Sequence, residues 1–221
     1  MSGFSTARQK MVDGQVRTSD VTDRRILDAM LAVPREAFVP ATRQALAYLD
    51  LDLDVSEGGT AKRYLIKPAL TAKLMQAAEI GEGDRVLVVG SATGYVAALA
   101  ARLAAQVTAT ESDAALAAKA KDILGGLGLA NVTSQAAPCA EGDPAGGSYD
   151  VIILNGATEV TPERLLEQLR EGGCLVGVFA ATRLQRAMIV TRSHGEFGHR
   201  ALFDAAAPVL PGLERTPAFV F

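Results

Sequence analysis

The chain has 221 residues, and its 49% hydrophobic content is enough for one well-filled α/β domain with a modest extension. Its formal net charge is −3, and the 22 Lys and Arg residues are scattered, which argues against a nucleic-acid-binding surface. Because no apolar run approaches about 18 residues and the N-terminus has no export signal, we expect a cytoplasmic protein without a membrane partner.

The first 48 residues have the periodicity of helices. Apolar residues recur at helical spacing from Val12 to Val33, and Asp23 stands where an N-cap is expected. Pro34 and Pro40 then break the pattern. We therefore predict an N-terminal helical layer.

A loop separates this layer from the rest of the chain. Acidic and leucine residues alternate over 50–54, and a glycine-containing stretch without a clear period follows over 57–64. The pattern over 68–78 predicts a helix with proline in its first turn. A loop placed between helices and ahead of the first long strand is well placed to cover a site.

From residue 84 onward, strand and helix patterns alternate, which implies parallel strands with crossover helices. The predicted strands are 85–89, 106–110, 132–135, 151–154 and 174–178, and the predicted helices are 95–104, 114–124 and 162–170. The segments 185–192 and 199–210 flank a turn and are predicted as antiparallel edge strands. We predict one domain over 1–221, with helices and covering loop in 1–80, a nucleotide-binding α/β core in 84–180 and antiparallel strands in 183–221.

The end of the strand predicted over 85–89 is the main candidate site. The residues that follow it are small and lead into a helix: Gly90, Ser91, Ala92 and Gly94. Such a turn lets a ligand approach the backbone N–H groups at the start of a helix. Glu111 closes the next apolar run about twenty residues on, where an acidic side chain can bind ribose hydroxyls. The pattern indicates a nucleotide site, although Ala92 replaces the middle glycine of G-x-G-x-G.

Five further residues have two readings each. Asn155 follows the predicted strand 151–154, at the edge where open α/β sheets bind ligands, although a structural cap is an equal alternative. Cys139 and Cys174 have neither metal spacing nor a disulfide framework, so we predict packing roles in a reducing compartment. His194 and His199 flank a turn without other ligands nearby, so no metal site is predicted.

Several longer motifs cover nearly the whole chain. They include MVDGQVR at 11–17, RILDAM at 25–30 and VPREAFVP at 33–40, with further matches at 57–58, 86–95, 111–113, 149–152, 165–169, 172–173 and 202–204. In these motifs the sequence resembles bacterial protein-L-isoaspartate O-methyltransferases. The resemblance implies a Rossmann-like S-adenosylmethionine-dependent methyltransferase sheet with an N-terminal helical layer and antiparallel C-terminal strands.

The resemblance also implies a reaction. The cofactor is S-adenosylmethionine, with S-adenosylhomocysteine as product, and the partner is an isoaspartyl-containing protein or peptide that is methylated on its α-carboxylate for protein repair. Since a carboxylate with a pKa near about 3.5 is already ionised at neutral pH, catalysis is mainly in-line alignment. The implied cofactor-binding residues are Gly90, Ser91, Ala92, Gly94, Glu111, Ser112, Pro138 and Asn155, and the implied acceptor-facing residues are Thr60, Ile66 and Lys67.

The sequence departs from the family pattern at both ligands. Family members carry Thr-Ile-Ser-Gln-Pro in the covering loop, whereas this chain has Ile66 in place of the serine, and a longer loop. Val88 stands where a glutamate faces the methionine amino group, and Ala137-Pro138 stand where Gly-Asp approaches the adenine. Each lost polar contact weakens binding by about 1–3 kcal/mol if its partner stays buried and unpaired. A restored glutamate at position 88 should then tighten cofactor binding.

Two alternatives therefore remain. The first is a catalytically inactive methyltransferase-fold protein that serves as a binding or scaffold module. The second, a nicotinamide-dependent oxidoreductase, is weaker because no catalytic Tyr-Lys or Cys-His pair stands out. The oligomeric state is not predicted.

Overall fold

The computed structural model describes residues 3–56, 58, 61–182 and 184–216. Its N-terminal layer contains α1 (Gly3–Met11), a π-helical turn (Val12–Val16), α2 (Arg24–Ala32) and 3-10 turns at Arg17–Ser19, Arg35–Phe38 and Ala41–Leu46. The carboxylate of Asp23 accepts a hydrogen bond from the Arg25 N–H at 2.8 Å, which confirms the predicted N-cap of α2.

The covering segment contains a very small sheet and one long helix. Strands β1 (Leu53–Asp54) and β2 (Tyr64–Leu65) pair antiparallel, apart from the main sheet. Helix α3 (Pro68–Ala78) begins with the predicted proline, whose missing N–H costs nothing in the first turn. The predicted helix over 68–78 is confirmed.

The main sheet has seven strands in the order β5-β4-β3-β6-β7-β8-β9. Its strands are β3 (Arg85–Val89), β4 (Gln106–Glu111), β5 (Val132–Ala136), β6 (Tyr149–Thr158), β7 (Leu169–Phe179), β8 (Arg186–Ser193) and β9 (Glu196–Asp204). The helices between them are α4 (Tyr95–Ala100), α5 (Ala114–Gly126) and α6 (Glu163–Leu166). Strands β3 to β7 pair parallel, and β8 and β9 add antiparallel, as predicted.

Several boundaries differ from the prediction, and β9 ends at Asp204 rather than at 210. Helix α4 ends at Ala100 rather than 104. Helix α6 has only 4 residues, and β7 already begins at Leu169, which pairs with Tyr149. The predicted turn over 193–198 narrows to His194-Gly195, which have φ of 53° and 81°, because Glu196 already pairs with Ser193.

Strand β3 is an internal strand of the sheet, between β4 and β6. The chain passes from β3 to β4 on one side of β3 and from β5 to β6 on its other side. The carboxyl end of β3 is therefore a topological switch point, the place where open α/β sheets bind ligands. Both faces of β3 are covered. Val86 and Val88 belong to the core shared with the N-terminal helices, whereas Leu87 and Val89 pack with β6 and α6 on the other face.

Candidate functional site

The turn after β3 wraps tightly around the end of that strand. Gly90, Ala92 and Gly94 have φ of 68°, 50° and 96°, all in the left-handed region. Glycine adopts this conformation readily, whereas it is unusual for Ala92. The Ser91 N–H donates to the Thr110 carbonyl at 2.9 Å, which ties the turn to β4. The turn therefore presents the Ala92 N–H to the end of β4.

Glu111 is the last residue of β4, and its side chain is fully buried. The Ala92 N–H donates to its Oε2 at 2.7 Å, while the Ser112 hydroxyl and the Asp113 N–H donate to its Oε1 at 3.0 and 3.1 Å. The carboxylate thus lies where a nucleotide ribose would be bound in this fold.

The Glu111 carboxylate already forms an ion pair with Arg63. Arg63, in the loop ahead of β2, donates from Nε to Oε1 of Glu111 and from Nη2 to Oε2, each at 2.9 Å. The Arg63 side chain is 2% exposed. Burial raises the pKa of the Glu111 carboxyl, but the Arg63 hydrogen bonds and charge, with the Asp113 and Ala92 N–H groups, outweigh it, so the pKa falls below its ordinary value.

Arg63 also reaches the turn itself. Its Nη2 donates to the Gly90 carbonyl at 2.9 Å, and the same carbonyl accepts from Nδ2 of Asn155 at 2.8 Å. The backbone of Arg63 is fixed by the Ser56 hydroxyl, which accepts from its N–H at 2.7 Å, and by the Val55 N–H, which donates to its carbonyl at 2.9 Å. The covering loop is thereby anchored with its guanidinium inside the site.

Asn155 lies within β6, which continues to Thr158 beyond the predicted end. Its pairing partner β7 loses register between Ile153 and Ala157, so the strand is irregular around Asn155. Besides Gly90, its Nδ2 contacts the Tyr64 carbonyl at 3.3 Å. Asn155 therefore connects the turn to the covering loop.

The segment after β9 covers the same end of the sheet. The Ala157 N–H donates to the Pro208 carbonyl at 2.8 Å, and the Leu210 N–H donates to the Ala157 carbonyl at 2.9 Å. A Cβ on Gly90 would lie 2.5 Å from Cδ2 of Leu210 and 2.7 Å from Nη2 of Arg63. These two side chains therefore fill the space directly over the turn.

The remaining predicted residues are distributed around this centre. Ser112 and Pro138 are exposed, and the Ala137 N–H donates to the Glu111 carbonyl at 2.9 Å, which places Pro138 beside the end of β4. Ile66 is buried at 2% exposure, and its carbonyl accepts from Arg35 at 3.0 Å. Lys67 is half-buried at the N-cap of α3, and Thr60 lies outside the described residues.

Arg63 was not among the predicted site residues. An isolated arginine in a loop has no periodic signal, and its partner Glu111 is 48 positions away. The loop's predicted position over the site was the only available clue.

Both cysteines are buried and free, as the predicted packing roles require. Burial raises the pKa of the Cys139 thiol, which lies close enough to Arg63 and Glu111 to respond to both charges. Burial, with the nearby charges of Asp84 and Glu79, raises the pKa of Cys174 to about 11. Within the described ranges no group of three or more His, Cys, Asp or Glu side chains could hold a metal ion.

The fold is that of Rossmann-like methyltransferases, with the candidate site at the switch point. A family profile described as "Protein-L-isoaspartate(D-aspartate) O-methyltransferase (PCMT)" matches residues 6–205. The chain is 36% identical over 219 residues to the protein-L-isoaspartate O-methyltransferase of Koribacter versatilis, covering 99% of this chain and 97% of that protein. It is 37% identical over 193 residues to protein-L-isoaspartate O-methyltransferase 1 of Rhodopseudomonas palustris, covering 87% and 77%. The chain belongs to the protein-L-isoaspartate O-methyltransferase family.

Solved structures agree with the predicted fold class. A structure described as a protein-L-isoaspartate O-methyltransferase superposes with a TM-score of 0.83 at 26% identity, covering 94% of this chain and 67% of that one. A second, a putative protein-L-isoaspartate O-methyltransferase from Plasmodium falciparum in complex with S-adenosyl-L-homocysteine, has a TM-score of 0.77 at 18% identity and covers 95% and 99%. In the part of this chain that the structure describes, every helix is too short or too polar to cross a membrane.

Proposed function

We propose that this protein transfers a methyl group from S-adenosylmethionine to the α-carboxylate of L-isoaspartyl residues in proteins. The observation that carries the proposal is similarity along almost the entire chain, 36% identity over 99% of its length, to a protein that bears this activity in its name. The buried Glu111 at the end of β4 supports it, because a nucleoside needs a carboxylate at this point of the fold.

The residue types at the site are those that would bind such a cofactor. Glu111 supplies oxygens for ribose hydroxyls, and the turn at Gly90 and Gly94 allows a ligand close to the backbone. In the conformation described here, however, Arg63 holds both oxygens of Glu111, and Leu210 fills the space above Gly90. The chemistry is suited to a nucleoside, but the ribose position becomes available only when Arg63 leaves. When bound, the cofactor supplies an electrophilic methyl group.

At the acceptor, the protein has mainly to hold an oxygen that is already charged. The isoaspartyl carboxylate is ionised at neutral pH, so no general base is required. The apolar side chain of Ile66 cannot donate a hydrogen bond to it. We propose that the ammonium of Lys67, the next residue, attracts the carboxylate instead, since a lysine is a mobile point charge with three donors.

Labelled methyl transfer tests the function. The protein is incubated with methyl-labelled S-adenosylmethionine and either an L-isoaspartyl peptide or the matched aspartyl peptide of the same sequence. We expect base-labile methyl incorporation into the isoaspartyl peptide only. Incorporation into neither peptide, together with no calorimetric binding of S-adenosylhomocysteine near millimolar concentration, would exclude the enzyme and leave a non-catalytic binding module.

A further inference from the structure

We propose that Arg63 is a latch on the nucleoside site: it holds Glu111 in the absence of ligand and must leave before ribose hydroxyls can bind there. The proposal rests on the proposed function for the identity of the ligand. It concerns a step that precedes the reaction, the opening of the crevice.

The Glu111 carboxylate has no hydrogen-bonding capacity left for a ribose while Arg63 is bound to it. A carboxylate has about four lone-pair sites. Five donor contacts already converge on this one, two of them from Arg63 and three from Ala92, Ser112 and Asp113. Two ribose hydroxyls therefore cannot be added to the existing set. They can replace Arg63, which contributes the same number of contacts.

Exchange of Arg63 for two ribose hydroxyls leaves neither the Gly90 carbonyl nor the Glu111 carboxylate without hydrogen-bond partners. After Arg63 withdraws, the Gly90 carbonyl keeps its hydrogen bond from Asn155, and Glu111 keeps its contacts with the turn and with Ser112 and Asp113. The guanidinium moves to water, where its charge is readily solvated. Without a ligand, by contrast, withdrawal would remove both the counter-charge and two hydrogen bonds of the buried carboxylate, whereas ribose hydroxyls replace those two hydrogen bonds. The latch is therefore stable when closed and is released by the ligand.

The local backbone allows this movement. Arg63 precedes β2 directly, and the β1–β2 pairing begins at Tyr64. The side chain can rotate out about its own torsions without breaking that pairing. Its position over Gly90, 2.7 Å from where a Cβ would lie, means that the same movement also uncovers the turn.

Calorimetric titration with S-adenosylhomocysteine provides the first test. A closed latch lowers the apparent affinity by the fraction of protein that is open. We expect Arg63→Gln to bind at least about tenfold more tightly than the wild type, which corresponds to a latch that is closed in more than nine molecules of ten. The matched control is Lys62→Gln, which removes the same charge one residue earlier from an exposed position and should change the affinity less than about twofold. Equal affinities in all three proteins would overturn the latch.

A second measurement uses the wild-type protein and therefore does not depend on the folding of a variant. Phenylglyoxal modifies an arginine only when its guanidinium is accessible to the reagent, and that of Arg63 is buried while it is bound to Glu111. We expect S-adenosylhomocysteine to accelerate modification of Arg63 relative to modification of the exposed Arg102, as measured by peptide mass mapping. An unchanged or lower ratio on addition of ligand would contradict the latch.

The two tests separate the latch from the proposed function. If S-adenosylhomocysteine binds the wild type but neither Arg63→Gln nor the ligand changes the readouts, the latch is wrong and the cofactor assignment stands. If no protein binds the ligand near millimolar concentration while Arg63→Gln retains a cooperative thermal transition, the cofactor assignment and the latch both fail. If Arg63→Gln does not fold, the ratio of Arg63 to Arg102 modification in the wild type decides.

Discussion

The guanidinium of Arg35 lies over the ring of Tyr95, with its Cζ 4.6 Å from the ring centroid. Arg35 is 1% exposed, and it donates from Nε to the Ala47 carbonyl at 2.9 Å and from Nη2 to the Ile66 carbonyl at 3.0 Å. One buried side chain thus joins the N-terminal layer, the first helix after β3 and the segment that covers the site.

We expect Arg35→Lys to lower the free energy of unfolding by about 2–4 kcal/mol. A lysine cannot stack its charge on Tyr95 as a planar group or reach both carbonyls with a rigid fork, and a carbonyl left unpaired costs about 1–3 kcal/mol. Chemical denaturation measures the change. The control is Arg24→Lys, at an exposed position of α2, which should stay within about 0.5 kcal/mol. An equal effect of the two substitutions would show that the Arg35 contacts are not made in solution.

Val88→Glu should destabilise the protein rather than improve cofactor binding. The sequence alone predicts tighter binding, but Val88 is 0% exposed within the core shared with the N-terminal helices. A carboxyl group buried there without partners costs several kcal/mol. Val88→Ile, which stays apolar and adds only one methylene, should cost about 1–3 kcal/mol, less than Val88→Glu. Thermal unfolding combined with S-adenosylhomocysteine titration distinguishes the outcomes, since a stable Val88→Glu protein with higher affinity would contradict this placement.

Gly90→Ala should reduce stability by more than about 1 kcal/mol. Its φ of 68° is strained for alanine, and the added Cβ would lie 2.5 Å from Leu210 and 2.7 Å from Arg63. The matched control is Gly125→Ala, within α5, where a Cβ meets nothing within 4 Å and helix propensity should stabilise the protein by up to about 1 kcal/mol. Opposite signs of the two changes in urea midpoint are the expected result.

The Glu111 carboxyl makes stability depend on acid pH. Its pKa is lower in the folded protein than in the unfolded chain. The ionised carboxylate therefore stabilises the fold fully above the unfolded pKa, about 4.3. This contribution to stability is lost as the pH falls through the pKa of the folded protein. We expect Glu111→Gln to be less stable than the wild type at pH 7 and to lose less stability between about pH 5 and pH 3. Glu82→Gln, at an exposed position, should follow the wild-type curve. Parallel curves for Glu111→Gln and the wild type would show that Glu111 is not held by Arg63.

Lys67→Gln tests the proposed acceptor contact. If the ammonium attracts the substrate carboxylate, the KM for the isoaspartyl peptide should rise by about tenfold, with kcat changed far less, because the lost interaction is made in the bound ground state as well. Lys121→Gln, at an exposed position of α5, should leave both constants unchanged. A fall in kcat without a change in KM would argue against carboxylate attraction by Lys67.

Helices and strands could be predicted from the sequence where the residue pattern fitted only one kind of secondary structure. The proline at 68 and the β-branched run at 85–89 predicted α3 and β3 with the observed bounds. The leucines of 165–169 fit both a helix and the start of a buried strand, and only the pairing of Leu169 with Tyr149 decides between them.

The centre of the site was only half predictable. Glu111 and the glycine turn follow from local spacing along the chain. Arg63 and Leu210 depend on which distant segments the fold brings over the turn, and no local pattern carries that information. The same limit explains Val88, since the sequence does not tell which face of β3 meets the N-terminal helices.

The segment after β9 forms part of the cover over the glycine turn. Leu210 and Leu213 are 0% and 2% exposed, and the backbone around Pro208 is hydrogen-bonded to β6. Shortening the polypeptide after Asp204 would therefore expose the glycine turn to solvent instead of merely trimming a tail.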